Sequence, residues 1–247
     1  MDHRLPLAIL LLFLLPGFAS AFSGALKLFL GSFVGFLPFV MGAILGAILD
    51  LAVIRRVSVL NNFFHEWGHA FTALLFFRKI DRFVVTRYRG GEVYHSGGFG
   101  GVLVDDVIAL APYTIPVFYF ISVLVRPLVD RPYILFFDLL VGCTFGLHAI
   151  GSIREIWRNW TRRTFVGAWS GVERKTDIAH SGFVFSFIYI VTVTLAIHGL
   201  LLSVLAIGYS GILSWANVVL DVTKNKMIPI TNGLVTAISD QLRSFLR

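Results

Sequence analysis

The chain has 247 residues, 57% of them hydrophobic and only 14% charged, with a mean hydropathy of +0.81. A soluble domain of this length cannot bury that much apolar surface, so the composition excludes a water-soluble globule and points to lipid-facing helices. The net charge of +7 does not indicate nucleic acid, because the basic residues flank apolar runs, where they act as topology signals and meet anionic headgroups.

A spanning helix needs roughly 20 apolar residues. Six runs meet or approach that length, over about 5–22, 25–54, 57–77, 107–127, 132–153 and 181–209. The expected fold is therefore an all-α polytopic membrane protein with about six transmembrane helices. Arg4 and the small residues Ala19-Ser20-Ala21 give the first run the look of a signal peptide over 1–21. The apolar stretch that follows at once equally fits an uncleaved first helix.

The second run carries Gly31, Gly35, Gly42 and Gly46, small-xxx-small pairs that let helices approach closely. Packing within the chain is the first reading, and a homodimer interface the second. Cys143 is the only cysteine, which excludes an internal disulfide, and it sits in an apolar run as a packing residue.

Two polar stretches interrupt the pattern. Within 78–106, alternation from Arg82 to Arg89, then Gly90-Gly91, then Glu92 to His95 predicts a β-hairpin, followed by a glycine-rich segment at 97–101. The second stretch, 154–178, is rich in arginine. Alternating spans put both stretches on one side and Arg55, Arg56, Arg126 and Arg131 on the other, so the positive-inside rule assigns the two stretches to the cytoplasm. In the tail, Leu234, Ile238, Leu242 and Leu246 recur every four residues, as in an amphipathic helix on a membrane surface or on the protein.

The third run contains His65-Glu66-Trp67-Gly68-His69. Residues four apart share a helix face, so both imidazoles can reach one ion, and nitrogen ligands at this spacing suit tetrahedral Zn2+ with an open position. Glu66 projects about 100° around the helix from His65, within reach of a water whose pKa zinc lowers to about 7, as general base. Two histidines and a glutamate in an apolar span are costly to bury without partners, and such residues are by default functional.

On these residues the chain resembles the site-2-protease-like intramembrane zinc metalloproteases, over about 57–205. The segment at 82–95 is similar to that family's β element, and Ala111-Pro112-Tyr113 resembles its Gly-Pro element. The resemblance implies peptide-bond hydrolysis in membrane-protein substrates, a bilayer setting, and an Asp near the start of a later helix as third zinc ligand. The usual Asn-Pro-Asp-Gly is absent, and Asp177 stands nearest to it, with a helix N-cap as its ordinary alternative.

His148 is the rival third ligand, or a second partner in the core. Glu155 would serve in a membrane protease of another type acting on non-transmembrane peptides, and otherwise reads as a surface ion pair. Tyr94 and His95 are the candidates to line the substrate path. Asn61 and Asn62 read as caps, Asp105 and Asp106 as interface anchors, and His198 as a packing residue. The organisation expected is N-terminal helices over 1–56, a metalloprotease core over 57–209 and a tail over 210–247. The competing reading is a non-enzymatic metal-binding scaffold or transporter component. It has no use for Glu66, which two-histidine metal binding does not require.

Overall fold

A computed structural model describes residues 3–31, 33–87, 90–162, 164–166 and 173–245. The order is α1 (Arg4–Gly31), α2 (Phe33–Leu49), α3 (Ser58–Leu75), β1 (Lys79–Val85), β2 (Gly91–Ser96), α4 (Gly101–Thr114), α5 (Val117–Val125), α6 (Ile134–Thr161), β3 (Thr164–Val166), β4 (Glu173–Lys175), α7 (Asp177–Ser181), α8 (Phe183–Ile207), α9 (Ser210–Val222) and α10 (Ile228–Phe245). β1 pairs antiparallel with β2, the expected hairpin, and β3 pairs with β4 in a second small sheet that the sequence did not announce. Arg89 and Arg163 lie outside the described residues, as do the side chains of the tail repeat from Leu234 to Leu246.

Among the described residues, four segments are long and apolar enough to cross a membrane: Arg4–Gly31, Gly35–Ile54, Arg131–Thr161 and Phe183–Ile207. A fifth crossing requires Gly101–Thr114 and Val117–Leu128 together, and these are bent by 74°. Four or five candidate spans therefore replace the expected six. The fourth expected run breaks because Pro116 lacks an N–H and holds Ile115 in extended backbone, at φ −103° and ψ 100°. The first run extends as one helix through Ala19-Ser20-Ala21 to Gly31, so the break before α2 falls later than expected. The motif helix α3 is not a candidate span. Its 18 residues include Asn61, Asn62, His65, Glu66 and His69, which make it more polar than the four candidate spans.

The glycines of α2 explain how the bundle closes. A Cβ on Gly42 would stand 1.9 Å from the Leu139 carbonyl oxygen, and one on Gly46 2.1 Å from that of Cys143. From the other side, Gly142 and Gly146 lie as close to the carbonyls of Phe39 and Ala43, at 1.9 and 2.0 Å. Two small-xxx-small pairs thus put α2 and α6 in backbone contact within one chain, and that face is taken. The register from Gly35 beside Asp138 to Asp50 beside Arg154 makes the two helices parallel. α1 and α8 are parallel as well: Leu11 packs with Phe185 and Tyr189, Phe22 meets Gly199, and Phe29 packs with Leu201 and Leu205.

Parallel pairing overturns part of the expected topology. The C-terminal ends of α2 and α6 and the N-terminal ends of α1 and α8 share one end of the bundle. Arg55 and Arg56 therefore lie at the same end as the two polar stretches, not opposite them. α3 leaves from that end and returns to it in the hairpin. Asp106 is fully buried there, accepting from Arg4 Nε at 2.8 Å and Nη2 at 3.0 Å and bonding His3 Nε2 at 2.8 Å. It ties α4 to the start of α1 and is not an interface anchor. Its neighbour Asp105 pairs with Arg78.

Candidate active site

The i, i+4 spacing on α3 brings His65 and His69 together, with Nε2 to Nε2 at 3.2 Å. The carboxylate of Asp177 joins them, its Oδ2 at 3.2 Å from His65 Nε2 and 3.7 Å from His69 Nε2. A tetrahedral zinc with arms of about 2.0–2.1 Å separates its ligand atoms by about 3.3–3.4 Å. The triangle of two imidazole nitrogens and one carboxylate oxygen matches that face within a few tenths of an ångström. The donor set therefore fits a zinc ion, with His65, His69 and Asp177 able to hold it.

Two supports orient these groups. His69 Nδ1 donates to the Ile108 carbonyl at 2.8 Å, which leaves Nε2 as the bare nitrogen facing the triangle. The Tyr113 hydroxyl donates to Asp177 Oδ2 at 2.9 Å and accepts from Asn159 Nδ2 at 2.8 Å. Asp177 is not a helix cap. Thr176 holds that position, in extended backbone, and Asp177 opens α7 with its carboxylate turned to the histidines.

Glu66 is buried, and its carboxylate, with His65 and His69, forms a group whose ligand atoms all lie within 4.8 Å of one another. The Nε2–Nε2–Oδ2 triangle is the tighter set and includes Asp177, with the Glu66 carboxylate beside it. The backbone of β2 passes directly over Glu66 at Gly91. The hairpin is held there by Phe83, which packs edge-on against Phe63 and Trp67 of α3 at 5.9 and 6.4 Å. Gly90 at the turn has φ +77°, which favours glycine.

A cavity of about 930 Å³ opens onto this group. Its walls include Gly91, Glu92, Val93 and His95 from the hairpin and Arg158, Arg162 and Lys175 from the second polar stretch. Of the two substrate-path candidates, His95 is in the wall and Tyr94 is not. The guanidinium of Arg78 donates to His95 Nδ1 at 3.1 Å. Burial first, and then that cation, hold the His95 imidazole below its ordinary pKa.

The other candidates fall elsewhere. His148 bonds to Ser152 and stacks on His198 at 5.9 Å, and it shares with His65 a second cavity of about 110 Å³ rather than the ligand triangle. His198 Nδ1 bonds to the Thr194 carbonyl at 3.0 Å. Glu155 is buried, not a surface group. It accepts from Asn61 Nδ2 at 2.9 Å and pairs with Arg158. Asn61 also accepts from Arg154, and Asn62 donates to the Thr86 carbonyl at 2.9 Å, so both tie α3 to its neighbours and neither caps it.

Ile108 and Asn159 carry no signal in the sequence, and Gly91 reads there only as a turn residue. Tyr113 lay inside the Ala111-Pro112-Tyr113 element, but nothing in the sequence alone tied its hydroxyl to Asp177.

No curated protein and no solved structure matches the chain. A family model described as Peptidase M50B-like matches residues 39–172. The matched stretch contains His65, Glu66 and His69 and stops short of Asp177, whose place at the site rests on geometry alone. The match spans more than half of the sequence and runs through the motif helix, the hairpin and the helices that surround them, and on this ground the chain belongs to the Peptidase M50B-like family.

Proposed function

We propose that this protein is an intramembrane zinc metalloprotease that hydrolyses peptide bonds of membrane-protein segments, with His65, His69 and Asp177 as ligands and Glu66 as general base. The observation that carries the reading is the triangle of donor atoms with Glu66 buried beside it. Zinc, when bound, polarises the scissile carbonyl and lowers the pKa of water. Glu66 takes the proton from the attacking water and passes it to the leaving amine nitrogen. Tyr113 and Ile108 hold Asp177 and His69 in place through both steps.

Substrate binding falls to the hairpin. β2 is paired with β1 along one edge, and it borders the cavity at Gly91, Val93 and His95. An extended segment added to the other edge gains backbone hydrogen bonds in place of those it lost on unwinding. The shared end of the bundle faces the cytoplasm in this reading. Arg4, Arg55, Arg56, Arg154 and Arg158 gather there, with Arg126 and Arg131 at the other end.

The test is to purify the protein in detergent, measure zinc by elemental analysis, and assay cleavage of a model transmembrane substrate. Wild type and Glu66→Gln should each hold about one zinc, with cleavage in wild type alone. A metal-replete wild type without zinc, or equal cleavage by Glu66→Gln, overturns the reading.

A further inference from the structure

In an α-helix the carbonyl of residue i accepts from the N–H of residue i+4. For Ile108 in α4 that residue is Pro112, which has no N–H. Its ring also crowds the carbonyl four residues back and pushes it off the helix axis. The Ile108 carbonyl is the one that accepts from His69 Nδ1, at 2.8 Å in a buried setting. The ring of Pro112 packs on α3 one residue before His69, where a Cβ on Gly68 would meet Pro112 Cα at 3.0 Å. The same residue thus frees the carbonyl and sets the distance between the two helices.

We infer that Pro112 is a positioning residue for the metal site: by withholding its N–H it reserves the Ile108 carbonyl for His69 and so fixes which ring nitrogen faces the ligand triangle. The inference rests on the zinc reading above. A proline at this place in a helix is a local cost, because an interior proline forfeits a hydrogen bond. The fold carries that cost, and what the lost bond leaves behind is the acceptor that His69 uses. Tyr113, the next residue, orients Asp177. The stretch of α4 from Ile108 to Tyr113 therefore aims two of the three ligands.

A structural role and a positioning role make opposite forecasts here. Pro112→Ala and Pro112→Gly both restore an N–H that competes for Ile108, at different side-chain volumes. The full-length protein in detergent is titrated with zinc against a chelator, the visible spectrum of its cobalt-loaded form is recorded, and the metal-free protein is melted. Pro38→Ala, the same change inside α2, is the control. Both Pro112 variants should lose about tenfold in zinc affinity, the scale of a lost outer-shell partner, with a shifted cobalt spectrum. The metal-free Pro112→Ala protein should melt no lower than wild type. Pro38→Ala should bind zinc as wild type does. Unchanged affinity in both Pro112 variants, or an equal loss in Pro38→Ala, overturns the inference while a zinc-binding wild type leaves the protease reading standing. A wild type that binds no zinc overturns both.

Discussion

The backbone of Gly91 rests on the side chain of Glu66, so closely that a Cβ built on Gly91 would stand 2.2 Å from Glu66 Cγ and 2.8 Å from Oε1. Contacts under about 3 Å are not tolerated in close-packed interiors. Gly91→Ala should therefore displace either the hairpin or Glu66, the proposed general base, lowering kcat by at least tenfold while zinc content stays at the wild-type level. Full activity in Gly91→Ala would show that β2 stands clear of Glu66 in the working enzyme.

The two rival third ligands separate cleanly. Asp177→Ala should abolish tight zinc binding, and Tyr113→Phe should weaken it by about tenfold through the lost hydrogen bond. His148→Ala should leave it unchanged, because that ring is engaged with Ser152 and His198. Zinc titration of the three variants checks this. Loss in His148→Ala with retention in Asp177→Ala would reverse the assignment.

At the α2–α6 contact there is no room for a methyl group. Gly42→Ala and Gly146→Ala should each destabilise the protein by about 3 kcal/mol, since the obstacle is backbone and not a side chain that can turn away. Gly24→Ala in α1, where a Cβ meets nothing within 4 Å, should melt as wild type does or slightly higher. Thermal unfolding in detergent compares them, and equal melting of all three would refute the packing account.

His95 gives the hairpin a pH dependence whose sign is fixed. Its folded pKa lies below the unfolded value of about 6.5. As pH falls, the unfolded hairpin takes up a proton before the folded one does. Stability is full above the unfolded value and is lost as pH drops through the folded one. Protease nicking of the 79–96 segment should rise between pH 7 and pH 5 in wild type and stay flatter in His95→Gln. A parallel rise in both would remove His95 as the cause.

The motif, the hairpin and most of the apolar runs were legible in the sequence because each is a local pattern: i, i+4 spacing, alternation with glycines, and length. What was not legible depends on partners far along the chain. Asn61 and Asn62 look like caps until Arg154, Glu155 and Thr86 arrive beside them. Asp106 looks like an interface anchor until Arg4 closes over it. The parallel run of α2 and α6 follows from glycines that lie about a hundred residues apart. The link from Pro112 to Ile108 is a middle case, since the i−4 rule could be applied to the sequence at once, but only the fold shows that His69 is the beneficiary.

Asp177 stands between the end of α6 and the start of α8 and meets His65 there, so the proposed catalytic group lies toward one end of the bundle. In the proposed protease, a helix drawn to that end has only its nearest turns to unravel. There, water and the polar stretches can take up each freed N–H and C=O, whereas at the bilayer midplane every such group would cost several kcal/mol. Segments whose helices fray early at that end are the ones such a protease would cut first.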